Sequence, residues 1–359
     1  MRIIKNARPL LLIAAMASFY LASAQPIIIN LPQKYVLREA NAPQVVKTSL
    51  VSQRAIIVQN KLQFNVGFTG VSTKTLAQIT GETETAPAEI TRIKAKVISR
   101  QLTPAAAEII KTWTVVCIAS KKTYDARNQN DVTPVRNQQC GNCWSYSALG
   151  AYEGSYLKVN SSITPTNVNA SEQYAVSCSG GGSCGGGLAY KVFEWMVDNN
   201  KNLEKDATLP DGGTNGSCPG GTPSSSYYAT DWGVVDPSGD ISKIASVASI
   251  KEALCKYGPI AASVNVTGLF QNYANGVFFE TASNYANPAS NHAIVIVGWD
   301  DDKGAWLIKN SWGTDWGMDG YMWIKYNSNN IGRRAAWVIA KKLIVKVIAP
   351  VKTLPMKAN

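Results

Sequence analysis

Seven cysteines constrain this chain more than any other feature, because their pairing decides how the loops between them can be arranged. They stand at positions 117, 140, 143, 178, 184, 218 and 255, and the surrounding stretches include glycine-rich ones such as "SGGGSCGGG". In an oxidising compartment an odd count leaves at least one thiol unpaired, and that thiol is either buried or reactive. The chemistry of the chain therefore depends on which sulfur stays free.

The first 24 residues predict a secretory signal peptide. Three basic residues precede the apolar run 10–17, and small residues occupy positions 22–24. The run is too short to anchor the chain in a bilayer, and no later stretch approaches membrane-spanning length. We therefore expect cleavage near Ala24, no membrane span, and export to the periplasm or the extracellular space, where disulfides persist.

The net charge of +11 is unevenly distributed. Residues 25–118 hold 11 basic and 5 acidic side chains, and residues 341–359 form a basic tail with five lysines, to which we assign no fold. Residues 119–340, by contrast, are slightly acidic. A basic chain can bind nucleic acid, but here the basic charge lies in the flanks, so we expect no nucleic-acid partner.

Residues 25–118 are predicted to form a separate, β-rich segment. Apolar residues alternate with polar ones over 62–68 and again over 92–97, which is strand periodicity. Residues 81–87 between these stretches are interpreted as a polar linker, and residues 104–108 could open a short helix. The segment contains no recognisable catalytic group.

Residues 119–340 predict an α+β domain. Helices are expected to begin at or just before Cys143 and to cover 171–178 and 189–199. After Pro259 the pattern changes to that of strands, which we predict at 259–266, 291–300, 305–311, 320–326 and 335–340. A helical lobe of about 119–225 and a β lobe of about 226–340 would then face each other across a groove.

The stretch "QQCGNCWSYSALG" (138–150) admits three hypotheses. Cys140 and Cys143 could form a redox dithiol bonded to each other. They could join Cys178 and Cys184 in a zinc site, although the glycine loop lacks the second short cysteine pair usual there. In the third hypothesis, a structural half-cystine stands beside a nucleophile.

The third hypothesis needs a base, and His292 is the only histidine of the chain. Two adjacent antiparallel strands could bring Asn310 beside it, so that the amide oxygen accepts from one ring nitrogen. A thiol at a helix N-terminus is already biased toward thiolate, and a nearby imidazolium lowers a cysteine pKa from about 8.5 to roughly 3–4. Cys143 and His292 would then form a nucleophilic ion pair, and we favour this hypothesis.

Four ordered motifs now resemble the papain family of cysteine peptidases. They are "YDARNQNDVTPVRNQQCGNCWSYSALGAYEG", "SEQYAVSC" followed by "CGGGLAY", "NHAIVIVGWD", and "KNSWGTDWGMDGYMWIKY", and together they cover about 119–340. The resemblance implies a two-lobed fold in which a helical lobe faces a β-barrel-like lobe. It also implies that residues 25–118 are a pro-segment, a name kept below.

The resemblance assigns the catalytic roles as follows. Cys143 would be the nucleophile, His292 the general base and acid, and Asn310 the residue that orients the histidine. The oxyanion would be bound by the Cys143 backbone N–H and the side-chain amide of Gln138. The residues on either side of Gln138 also carry amides, so this donor rests on sequence context.

The resemblance also implies a substrate-binding cleft. Gly186 and Gly187 would pair with an extended peptide like an added strand. Leu188 and Ala293 would line the pocket for the residue two before the scissile bond (P2), which we expect to be apolar. Trp312 would shield the hydrogen bond of the catalytic histidine from water.

Two disulfides follow from the same resemblance, Cys140–Cys184 and Cys178–Cys218. Cys255 is then expected to be a buried small hydrophobic residue, and Cys117 remains unassigned.

We therefore expect a secreted, monomeric cysteine endopeptidase that acts on peptide or protein substrates and is made as a zymogen. The pro-segment would be its intramolecular inhibitor, and its positive charge could help it dock. No cofactor or metal is expected, since Asp300–Asp302 lacks calcium-loop spacing. Two alternatives stay open: a catalytically silent peptide- or polymer-binding module, and an enzyme that transfers the acyl group to an amine or thiol.

Overall fold

The computed structural model describes residues 30–111, 117–283 and 289–343. The predicted signal peptide and residues 344–359 of the basic tail lie outside this part of the chain. Within it, no helix has both the length and the apolar character needed to cross a membrane.

The described chain contains ten α-helices, most of which lie in its N-terminal half. They are α1 (Gln33–Ala40), α2 (Gln44–Gln59), α3 (Leu76–Ile79), α4 (Pro87–Ile98), α5 (Pro104–Lys111), α6 (Cys143–Val159), α7 (Glu172–Cys178), α8 (Ala189–Asp198), α9 (Val247–Tyr257) and α10 (Gly268–Gln271). Short 3-10 turns occupy Ala126–Gln129 and Pro165–Asn167.

The strands gather mainly in one large sheet. They are β1 (Phe64–Val66), β2 (Thr123–Asp125), β3 (Gly182–Ser183), β4 (Gly186–Gly187), β5 (Asn202–Leu203), β6 (Tyr227–Val234), β7 (Ile260–Val264), β8 (Tyr273–Phe278), β9 (His292–Asp300), β10 (Ala305–Lys309), β11 (Tyr321–Lys325) and β12 (Arg333–Ala340). The order is β1-β8-β11-β10-β9-β7-β12-β6-β5, with β2 on β9, and β3 pairs with β4 separately. This path is open rather than a closed barrel.

The core elements form because their apolar residues are buried together. Every residue of β9 is buried, and α6 is buried along nearly its whole length where it packs on β9 and β12. α6 is therefore an interior helix, and it buries polar residues such as Glu153 along with its apolar ones. The predicted α+β class and two-lobed arrangement are confirmed, and α7 starts directly after Ser171, whose hydroxyl accepts from the Tyr174 N–H at 2.9 Å.

The pro-segment is mainly helical, so the prediction of a β-rich segment was wrong. The alternation over 92–97 lies inside α4. Ile90, Ile93 and Val97 are also spaced by three and four residues, and this helical period is the one that buries them against the core. Of the strand predicted over 62–68, β1 remains.

The pro-segment docks on the core by a strand and by charge. β1 pairs antiparallel with β8 and so extends the core sheet by one strand. On α4, Arg92 and Lys96 each form an ion pair of 2.7 Å with Glu194 of α8. The expected help from positive charge therefore has a structural basis at this contact.

Three disulfides cross-link the described chain. Cys140–Cys184 and Cys178–Cys218 are the pairs that the resemblance implies. The third, Cys117–Cys255, closes 138 positions of sequence and joins the C-terminal end of the pro-segment to α9. Cys255 is thus a half-cystine, not the free hydrophobic residue that we expected. The sequence could not show this, because nothing local distinguishes a packed thiol from a bonded one.

Candidate active site

Cys143 is the first residue of α6 and the only described cysteine left free. The bonding of Cys140 to Cys184 rules out both a Cys140–Cys143 dithiol and a zinc site built on those four cysteines. Asn142, at the N-cap position, makes no side-chain cap hydrogen bond. The first amides of α6 therefore remain available to a negative charge at this end of the helix.

His292 begins β9, and Asn310 follows β10, the neighbouring strand. Asn310 Oδ1 lies 2.8 Å from His292 Nε2 and also accepts the Ser311 N–H at 2.8 Å. Because an amide oxygen only accepts, Nε2 carries the proton. Nδ1 is buried and bonds to no group of the described chain, which leaves it ready to accept a proton.

Trp312 covers this histidine. The two rings have centroids 4.7 Å apart, and Trp312 is 2% exposed. Its indole N–H donates to the Ile79 carbonyl of the pro-segment at 3.0 Å. The placement is the one expected of a side chain that keeps water from the His292–Asn310 hydrogen bond.

Gln138 is buried at the same place and held by Ser311. Its Oε1 accepts the Ser311 hydroxyl at 2.6 Å, and its Nε2 donates to the Cys140 and Ile79 carbonyls at 2.7 and 3.2 Å. The neighbouring Gln139 instead donates its amide to the Asn137 carbonyl at 2.7 Å, in an exposed position. Of these amides, Gln138 is the one that binds a carbonyl oxygen in the cleft.

Residues 79–85, here called the cleft segment, pass directly over the thiol. The Thr83 N–H donates to the Gly187 carbonyl at 3.2 Å, the Gly187 N–H donates to the Gly81 carbonyl at 2.8 Å, and Glu82 and Gly187 pair in parallel. A Cβ on Gly81 would stand 1.8 Å from the Gly141 carbonyl, so only glycine fits. Residues 81–87 were interpreted as a linker, and this was wrong for the part that fills the cleft.

The Glu82 side chain enters a polar pocket that the sequence did not reveal. Its carboxylate bonds to the Ser263 hydroxyl, to the Ser290 hydroxyl at 2.9 Å, and to Arg334 at 3.0 Å. Ser263 stands opposite Ala293 in the β7–β9 register. The pocket predicted to be apolar from Leu188 and Ala293 thus has charged and hydroxyl groups beside it. The adjacent arginines 333 and 334 were the only sequence signal.

Burial makes the catalytic pair neutral in this precursor. Burial, together with the nearby charge of Glu82, raises the pKa of the Cys143 thiol to about 12, against the opposing effect of the Ala293 backbone amide. Burial also lowers the pKa of His292 to about 4, although its bond to Asn310 acts the other way. The ion pair expected from sequence is therefore absent while the pro-segment is in place.

A buried cluster of charged side chains lies next to the site, beside Asn310. Arg136 bonds to Glu153 and Glu172, each at 2.8 Å. Lys309, directly before Asn310, donates to Thr133 at 3.0 Å, and burial lowers its pKa to about 8. This cluster could not be predicted from the sequence, because its members become neighbours only in the fold.

Comparisons with known proteins agree with this geometry. The family profile described as "Papain family cysteine protease" matches residues 120–341. Cathepsin J of Mus musculus is 37% identical over 217 residues, and procathepsin L of Rattus norvegicus is 34% identical over 221. These matches cover 57% and 58% of this chain, and 60% and 61% of the relatives' own lengths.

The fold is also found among solved structures. The digestive procathepsin L2 proteinase from Tenebrio molitor larval midgut superposes with a TM-score of 0.63 at 21% identity. The likeness covers 87% of this chain and 95% of that one, so it includes much of the pro-segment. At this identity it shows the fold alone.

Proposed function

Because this chain belongs to the papain family of cysteine proteases, we propose that its processed form is an endopeptidase that cleaves peptide bonds through Cys143. The observation that carries the proposal is the alignment of three groups at one cleft. A free thiol stands at a helix N-terminus and bonds to the backbone amide of Ala293. The preceding residue, His292, has one nitrogen fixed by Asn310, and Gln138 offers a donor to a carbonyl oxygen.

The first half of the reaction forms an acyl-enzyme. With the cleft open, Nδ1 of His292 takes the thiol proton of Cys143, and the resulting thiolate attacks the substrate carbonyl. The oxyanion is bound by the Cys143 N–H and Gln138 Nε2, a kind of donor whose loss typically costs about 10²–10³ in turnover. His292 then protonates the departing amine.

The second half releases the acyl group. Water gives a proton to His292 and attacks the thioester carbonyl, and the thiolate leaves. Asn310 keeps the imidazole oriented throughout, and Trp312 limits the access of water to the His292–Asn310 hydrogen bond. Gly186 and Gly187 hold the peptide backbone by strand pairing, as Gly187 now holds the cleft segment.

The pro-segment is an intramolecular inhibitor in this proposal. Its cleft segment occupies the strand position at Gly187 and pairs there in parallel. It also buries Cys143 and His292 and so disfavours their charged forms. Three disulfides suit an exported protein, so we propose that the enzyme acts outside the cytoplasm. That it acts as a monomer stays a prediction.

Activity of the processed chain tests the proposal. The pro-segment is removed by an added protease from wild type and from Cys143→Ala, and both are assayed with reductant on fluorogenic peptides. Turnover by wild type and a loss of at least three orders of magnitude in the variant is expected. Equal activity, or no turnover by either protein, would contradict the proposal. Products carrying an added amine would show acyl transfer instead.

A further inference from the structure

The polar pocket beside Gly187 suggests what the enzyme selects. Glu82 occupies the position directly paired with Gly187, so its side chain marks where the side chain of a paired substrate residue goes. This holds for either chain direction, because the two faces of a paired strand are the same in both. The Glu82 side chain is 2% exposed there, and its carboxylate is held by Ser263, Ser290 and Arg334.

The backbone of β12 is irregular at Arg334, whose side chain reaches this pocket. The φ of Arg334 is +51°, a conformation that residues with a side chain seldom adopt. The β12–β7 register also shifts between Arg333 and Ala336. Such irregularities occur next to active sites, where they redirect a side chain.

Most partners of the Arg334 guanidinium leave when the pro-segment is removed. It bonds to Glu82 at 3.0 Å, to Glu84 at 2.5 Å and to Thr85 at 3.1 Å, all three in the pro-segment. Its hydrogen bond to the core is to Ser290, at 2.5 Å. An apolar side chain entering the open pocket would desolvate the guanidinium without replacing these bonds, which is costly.

We propose that the processed enzyme prefers substrates with an acidic residue, glutamate above all, in the pocket formed by Arg334, Ser263 and Ser290. This inference rests on the proposed endopeptidase function and replaces the apolar P2 preference predicted from Leu188 and Ala293. The two serines complete the recognition. Ser263 donates to Glu82 Oε1, which Arg334 leaves open, and Ser290 donates to Oε2, the oxygen that Arg334 also binds.

Peptides that differ only at P2 test the inference. The processed enzyme is assayed on three fluorogenic peptides with leucine, glutamine or glutamate at that position. Wild type is expected to cleave the glutamate peptide with a kcat/KM on the order of 10- to 100-fold above its glutamine twin, the range for bonds to a charged group. The ratio should fall as the pH drops below about 4.3, where a free glutamate side chain becomes protonated.

A matched pair of variants assigns the effect. Arg334→Gln should bring the glutamate-to-glutamine ratio close to 1. Arg333→Gln should lower the ratio much less, because that arginine pairs with Glu84 and reaches the pocket through one long bond to Ser290, at 3.3 Å, with no hydrogen bond to Glu82 in the described chain. If Arg334→Gln fails to fold, the wild-type ratio decides alone. Good cleavage of the leucine peptide with a ratio near 1 overturns this inference only, whereas no cleavage of any peptide overturns the proposed function.

Discussion

At the scale of single residues, the reactivity of Cys143 depends on what surrounds it. Its thiol stands at an uncapped helix N-terminus, which favours the thiolate. In the precursor, burial outweighs this effect and holds the pKa near 12. The same residue is therefore inert or nucleophilic according to whether water and an imidazolium can reach it.

The orientation of the His292 ring depends on its hydrogen bond to Asn310. Replacing Asn310 by alanine removes the bond that fixes Nε2–H, so the ring can rotate and the imidazolium loses a partner. We expect kcat/KM of the processed enzyme to fall by roughly 10- to 100-fold, the value of a hydrogen bond to a charged group. Steady-state assays on one peptide measure this, and an unchanged kcat/KM would show that Asn310 does not orient the base.

The sequence could predict these residues for a physical reason. A lone histidine at a strand start, a cysteine at a helix start and an asparagine in the next strand are each tied to a local pattern. Glu82 and Arg334 could not be paired in advance, since 252 positions separate them. Their contact depends on a backbone irregularity in β12 that no periodicity reveals.

At the scale of elements, the core strands predicted after Pro259 and the helix predicted at Cys143 matched the structure, whereas β2, β6 and β8 were not predicted and the pro-segment was predicted wrongly. Strands such as β9 are buried on both faces, and α6 is buried nearly all round, so burial and pattern agree. In α4, residues 92–97 fit both the period of a strand and the period of a helix. Contact with α8 favours the helix. Surface helices that dock on another domain carry less internal information about their own structure.

The cleft segment makes a pH prediction. Its bond to Arg333 lowers the pKa of Glu84. A carboxyl whose pKa is depressed by docking stabilises the docked state above its free pKa, and this contribution is lost as the pH falls through the docked value. Acidification below about 4.3 should therefore remove this contribution of Glu84 and speed removal of the pro-segment, against the opposing effect of Glu82, whose pKa is raised by burial.

Glu84→Gln checks the origin of this effect. The variant lacks the ion pair at every pH, so it should lose its pro-segment faster at neutral pH and gain less from acidification. Glu108→Gln is the control, because among the residues that the structure describes Glu108 forms an ion pair only with Lys111 of its own helix, at 3.8 Å. Processing rates followed by gel at pH 7 and pH 4 measure the difference. Identical pH dependence in wild type and Glu84→Gln would exclude this ion pair as the switch.

At the scale of the whole molecule, one event changes solvation, charge and access together. Removal of the pro-segment takes β1 from the sheet, frees Gly187 and Arg334, and opens Cys143 and His292 to water. The Cys117–Cys255 bond lies beyond the described helices of the pro-segment, so a cut before Cys117 leaves the new N-terminus tied to α9. On the proposed function, latency and specificity would thus depend on the same contacts.

The most direct measurement is the rate of Cys143 alkylation by iodoacetamide as a function of pH, in precursor and in processed enzyme. In the precursor we expect almost no reaction up to pH 8, because the thiol is buried and protonated. In the processed enzyme the rate should already be high at pH 5–6, and His292→Ala should return it to the profile of an ordinary thiol with a pKa of about 8.5. A processed enzyme that follows the ordinary profile with His292 intact would contradict the thiolate–imidazolium pair.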